Sequence, residues 1–196
     1  MQIELQNAGK KYHKNWIFRN LNVQIDDGQI VALTGHNGSG KSTLLNTIGG
    51  FVTPTEGQIL RDNSKEYDQT RFNIATPYLN IPEEFTLLEQ LTFHAKFKKP
   101  LMSIEDMPSL CDLDKSKNKL IQEYSSGMKQ RVKLILAFCF DGDLLLLDEP
   151  TVNLDETGSQ WYLELLRTMR NERTTIIASN QPLEYPNASK IIQLND

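Results

Sequence analysis

Short apolar runs give way to longer helical periods along this chain, and the change falls near Thr86. Upstream, residues 2–5, 16–25, 30–34 and 57–61 read as strands, the last after the turn signals Pro54, Glu56 and Gly57. Thr86-Leu-Leu-Glu89 has the form of a capping box, in which the hydroxyl and the carboxylate each satisfy the other residue's backbone N–H. It predicts a helix that stops before Pro100 and opens a helical lobe. Another helix is predicted after Ser125 and Ser126, through Phe140, with Val132, Leu136, Cys139 and Phe140 near one stripe, read as core. Residues 143–148 are almost wholly apolar, the pattern of a strand buried on both faces. A helix with Trp161, Leu165 and Met169 at four-residue spacing follows, then strands at 174–179 and 190–194. This alternation implies an α/β fold: a mostly parallel core sheet flanked by helices, an N-terminal antiparallel β region and an inserted helical lobe at about 80–140, within one domain spanning 1–196.

Composition narrows the class. With 196 residues, 39% of them hydrophobic, the chain can bury one substantial core. A net charge of -4 argues against nucleic acid or anionic lipid as a partner recruited by overall charge. The lysines within 96–99 and 115–119 read as solvated faces. Cys111 and Cys139 form no Cys-x-x-Cys pair, so neither a zinc site nor a disulfide framework is expected. The opening Met-Gln-Ile-Glu-Leu lacks the features of a signal peptide, and the longest apolar run, 134–140, is far short of the roughly 20 residues of a membrane helix. The expectation is a cytoplasmic chain.

Gly35-His-Asn-Gly-Ser-Gly-Lys-Ser42 matches the phosphate-loop pattern G-x-x-x-x-G-K-[ST], after an apolar strand and before the helical pattern of 44–48. Gly35, Gly38 and Gly40 let backbone amides turn inward around phosphate, Lys41 can bridge the β and γ groups, and Ser42 can ligate magnesium. His36, Asn37, Ser39 and Thr43 complete the candidate nucleotide-binding stretch; His36 fills a free position of the motif. Asp148 ends the apolar strand, where open α/β sheets bind ligands, and is the candidate to hold the magnesium shell. Glu149 is the candidate to accept a proton from attacking water or to orient it, on the opposite side of the strand from Asp148 if the strand persists.

Downstream, Tyr124-Ser125-Ser126-Gly127-Met128 opens a helix and offers a second anion site. With these motifs in order, the whole chain resembles the ATP-binding cassette ATPases, specifically the nucleotide-binding subunit of a transporter. In that family the signature Leu-Ser-Gly-Gly-Gln, similar to Tyr124 through Met128, closes over the γ-phosphate of ATP held by the opposite subunit. The resemblance implies ATP and Mg2+ as cofactors, a head-to-tail dimer (a homodimer or a paired cassette), and an integral-membrane permease that keeps the chain at the inner face of the cell membrane. It implies roles for Ser125 and Gly127 at the opposite nucleotide. Tyr12 resembles the aromatic that stacks on adenine, and ordinary strand packing is the other reading. Asp155, in Asn153-Leu154-Asp155, resembles the loop joining the two composite sites, and also suits the N-cap of the following helix.

Two departures stand out. Tyr78 falls where the family places a Gln that senses magnesium, and a phenol lacks the amide carbonyl. Asn180 stands where the family has a His that contacts the γ-phosphate, so the contact can be only a neutral hydrogen bond. These leave three functions open: a transporter ATPase with Lys41, Glu149 and Asn180 in catalysis, a regulatory cassette of weak hydrolysis, or a soluble cassette acting on ribosomes or DNA.

Overall fold

The computed structural model describes residues 1–66 and 68–194; residues 67, 195 and 196 of the expected 1–196 span lie outside the described residues. Its N-terminal sheet is antiparallel, with β1 (Ile3–Tyr12) between β2 (Asn15–Ile25) and β4 (Glu56–Arg61). The second sheet is parallel throughout, in the order β5 (Phe72–Ala75), β6 (Leu144–Asp148), β7 (Thr174–Ala178), β3 (Ile30–Thr34), β8 (Lys190–Gln193). That arrangement is the expected α/β class with its antiparallel N-terminal region.

The run of four leucines in β6 shows how the layers form. Side chains alternate across a strand, so Leu144 and Leu146 join one core while Leu145 and Leu147 join another. The first core lies against helix α1 (Lys41–Ile48) and the antiparallel sheet; the second is shared with helices α4 (Ser126–Phe138) and α5 (Glu156–Met169). β6 is thereby buried on both faces and its leucine run carries no polar alternation. At its end Asp148 pairs in register with Ala178, which brings the ends of β6 and β7 side by side.

Between β5 and β6 lie the helices α2 (Leu87–His94), α3 (Met107–Leu110) and α4, joined by turns and loops. The capping box is formed as read: Glu89 N–H donates to Thr86 Oγ1 at 3.3 Å and Thr86 N–H donates to Glu89 Oε2 at 2.8 Å. Cys111 and Cys139 are buried free thiols in this region, both pushed up to about 12 by desolvation. Among the described residues no helix is long and apolar enough to cross a membrane.

Within the elements of the fold, the structure differs from the sequence reading at β1, β5, α4 and Lys98. β1 continues to Tyr12, through a left-handed Asn7 that breaks its alternation. β5, a strand of four residues, had no pattern of its own; Asn73 is tolerated inside it because Nδ2 donates to the Phe140 carbonyl at 2.8 Å. Helix α4 is buried from Val132 through Phe138, rather than along one stripe, because it packs against β5, β6, α2 and α5. Lys98 does not belong to a solvated face: its ammonium reaches inward to the Phe72 carbonyl and Asn73 Oδ1, and burial lowers its pKa to about 8.

Candidate functional site

Residues 35–42 connect β3 to α1 in a tight arc. Gly35, Gly38 and Gly40 all have positive φ, at 143°, 90° and 96°, which L side chains rarely adopt. Gly40 is also hemmed in: a Cβ there would stand 2.4 Å from Ile17 Cγ2 on β2. Gly40 is the N-cap of α1, no side chain caps the helix, and its first turn has no acidic residue. The first helical bond runs from Leu44 N–H to the Gly40 carbonyl, so the amides of Lys41, Ser42 and Thr43 precede the ladder and face the positive end of the helix dipole. Lys41, nearly buried, donates from Nζ to the carbonyls of Gly35 (2.7 Å) and His36 (3.2 Å), spanning the arc. The His36 Nδ1 lies 2.9 Å from the Asn37 carbonyl oxygen, and the buried Ser39 Oγ has no hydrogen-bond partner among the described residues. Amide donors, an ammonium and a helix N-terminus in one loop suit a polyphosphate.

The ends of β6 and β7 meet this loop. Asp148 is buried, and desolvation raises its pKa against the opposing effect of the Ser42 hydroxyl bonded to it; Glu149, Lys41 and Glu184 contribute smaller effects. A serine hydroxyl beside a buried carboxylate is a hard-oxygen donor set that fits Mg2+, which takes few protein ligands and keeps water or phosphate on its other positions. The extended strand does not persist beyond Asp148. Glu149 takes the left-handed conformation, φ 45°, is exposed, and donates its N–H to the Ala178 carbonyl at 2.9 Å. The expectation that strand alternation would set its direction is therefore replaced: a sharp backbone turn does so.

Asn180, two residues beyond β7, docks on the loop. Its Oδ1 accepts from the Gly35 N–H at 3.2 Å and its Nδ2 donates to Asn37 Oδ1 at 3.3 Å. Loop, β6 end and β7 end are thus joined through Ser42–Asp148, Glu149–Ala178 and Asn180–Gly35.

A separate group forms at the start of α4. Ser125 is its N-cap, with Oγ accepting from the Met128 N–H at 3.2 Å. Gly127 backs onto the Asn153 carbonyl so closely that a Cβ would come within 2.9 Å of it. Asp155 caps α5 through Oδ1, which accepts from the Gly158 N–H at 2.7 Å. Gly127 therefore lies against Asn153, while the hydrogen bonds of Ser125 and Asp155 go to the first turns of their own helices rather than to the loop 35–42. Tyr12 sits at the tip of the β1–β2 hairpin, 46% exposed, with Lys10 Nζ 5.0 Å from its ring centroid. Tyr78 is 84% exposed, its ring carried outward on the turn after β5. Sequence reasoning missed Gln130 and Glu184, buried residues that hold the loop after β6: Gln130 Nε2 donates to the Pro150 carbonyl at 2.8 Å and Glu184 Oε1 accepts from the Thr151 N–H at 3.0 Å.

Comparison with known proteins adds an independent line. The family profile described as ABC transporter matches residues 18–152. A lantibiotic transport ATP-binding protein of Streptococcus pyogenes is 30% identical over 191 residues, covering 92% of this chain and 80% of that protein. The SkfA peptide export ATP-binding protein of Bacillus subtilis is 30% identical over 207 residues, covering 99% of this chain and 85% of its own. Among solved structures, a dimeric ATP-binding cassette in a post-hydrolysis state with ADP and Pi superposes with a TM-score of 0.84 at 26% identity, over 98% of this chain and 94% of that one.

Proposed function

Because this chain belongs to the ABC transporter family, as an ATP-binding subunit, we propose that it hydrolyses ATP on the loop 35–42 and drives a separate membrane permease. The observation that carries the reading is the convergence of the loop, Asp148, Glu149 and Asn180 through direct contacts at the carboxyl ends of three neighbouring strands.

In this reading the loop amides and Lys41 hold the β and γ phosphates, and Ser42 with Asp148 holds Mg2+, which supplies positive charge against the phosphate oxygens. Water attacks the γ-phosphorus, the bond to the β-phosphate oxygen breaks, and ADP and inorganic phosphate leave. Glu149 orients the water or takes its proton on a carboxylate oxygen. Asn180 fixes the loop through Gly35 and Asn37 and offers at most a neutral contact to the γ-phosphate. Tyr12 stacks on the adenine. Ser125, Gly127 and Asp155, none of them bonded to the loop 35–42 among the described residues, complete the nucleotide site of a second cassette in a head-to-tail dimer, and the assembly sits at the cytoplasmic face of the membrane through its permease. A single domain spanning 1–196 is part of the same proposal.

Steady-state ATP hydrolysis by wild type and Glu149→Gln tests this. The substitution keeps size and removes the base, and a fall of about 100-fold or more is expected. The second reading, a regulatory cassette, draws on the neutral Asn180 and the exposed Tyr78. Equal and negligible rates in the two proteins, with ATP still bound, establish that reading and refute the first.

A further inference from the structure

Glu184 ends a short 3-10 turn after β7 and is 1% exposed. Its Oε1 accepts from both the N–H of Thr151, at 3.0 Å, and the Thr151 hydroxyl; Oε2 is buried with no hydrogen-bond partner among the described residues. The residue is held on its other side as well, its N–H donating to the Gln181 carbonyl at 2.9 Å and its carbonyl accepting from the hydroxyl of the fully buried Tyr162 at 2.8 Å. A carboxylate fixed in such a place is costly to bury, and its hydrogen bonds all go to one residue, two positions beyond Glu149.

That turn needs outside support. A left-handed glutamate is unfavourable by itself, and residues 149, 150 and 151 are each tied to a different element: Glu149 N–H to Ala178, the Pro150 carbonyl to Gln130, Thr151 to Glu184. The last of these ties is double, Glu184 Oε1 accepting from both the N–H and the hydroxyl of Thr151. We propose that Glu184 is a positioning residue for hydrolysis, its buried carboxylate anchoring Thr151 so that the turn holds Glu149 where water is activated. The inference rests on the hydrolytic reading above and extends it to a residue that touches neither nucleotide nor metal.

The test compares Glu184→Ala, Glu184→Gln and Thr151→Val for kcat, for equilibrium affinity toward a fluorescent ATP analogue, and for amide hydrogen exchange of residues 149–152. Glu184→Ala is expected to lower kcat by about 10- to 100-fold, the scale set by misplacing a catalytic group by an ångström, with affinity changed less than about 3-fold. Glu184→Gln retains the Oε1 acceptor and is expected to recover most of the rate. Exchange at 149–152 speeds up in the Ala variant and not in the Gln variant. Thr151→Val keeps the side-chain shape, removes the hydroxyl donor and gives an intermediate loss, which decides the matter if the Ala variant does not fold. Unchanged kcat in Glu184→Ala, equal defects in the Ala and Gln variants, or kcat and affinity falling together overturns the proposal. If wild type itself does not hydrolyse ATP, the hydrolytic reading fails and positioning for hydrolysis fails with it. Exchange that still separates Ala from Gln then shows Glu184 as a structural anchor alone.

Discussion

Gly40→Ala is the substitution whose cost can be worked most directly from the geometry. The residue stands at φ 96° and ψ 11°, and an added Cβ meets Ile17 Cγ2 at 2.4 Å and the Ile17 carbonyl oxygen at 3.4 Å. Forcing an L residue into the left-handed region costs about 1–2 kcal/mol. Overpacking against Ile17 adds about 1–3 kcal/mol, since the contact is to a side chain anchored in β2 rather than to a mobile tip. The sum, about 2–5 kcal/mol, is a large share of a typical stability of about 5–15 kcal/mol, so the variant folds but is weakened. Urea unfolding reads it as a lower midpoint with the slope unchanged. The clash and the backbone strain are separable: adding Ile17→Ala removes Cγ2, and the double-mutant cycle should show a coupling of about 1–3 kcal/mol while the backbone cost stays. Because the same displacement moves the amides of the loop, ATP-analogue affinity should fall in Gly40→Ala and partly return in the double variant. A cost below about 1 kcal/mol, or no coupling to Ile17, would refute the reasoning.

Further outcomes are expected elsewhere. Arg173 is buried, donates to the carbonyls of Ala137, Phe138, Phe140, Met169 and Arg170, and so closes the C-terminal ends of both α4 and α5; Arg173→Met should cost about 3 kcal/mol or more by thermal or urea unfolding, and a loss under about 1 kcal/mol contradicts that role. Lys98 supplies a pH dependence: with its pKa lowered by burial to about 8 from the ordinary 10.5, the unfolded chain binds more protons between those values, so its contribution to stability rises with pH across that window. The stability of wild type relative to Lys98→Met should therefore improve between pH 7 and 10, and a difference independent of pH counts against the buried ammonium.

Where chemistry depends on spacing along the chain, the sequence was enough. The glycines, Lys41 and Ser42 of the loop, the apolar run ending at Asp148, and the Thr86/Glu89 box are local patterns, because a tight turn, a doubly buried strand and a helix start each impose their own residue types. β5 was hidden because four residues including an asparagine carry no period; it exists as a strand through its pairing with β6. Lys98 was read as part of a solvated face and Arg173 and Glu184 carried no signal of their own, because nothing local distinguishes a solvated charge from one whose partners are carbonyls or amides distant in sequence.

The sequence by itself determined the α/β class, the loop and the acidic strand end, since each follows from contacts between near neighbours. Tertiary structure alone decided that Asn180 grips Gly35, that Glu149 leaves the strand in a left-handed turn, that Tyr78 faces outward, and that Glu184 holds Thr151. Those arrangements are set by which strand ends lie side by side in the order β5-β6-β7-β3-β8, and that order follows from long-range packing that no local pattern encodes.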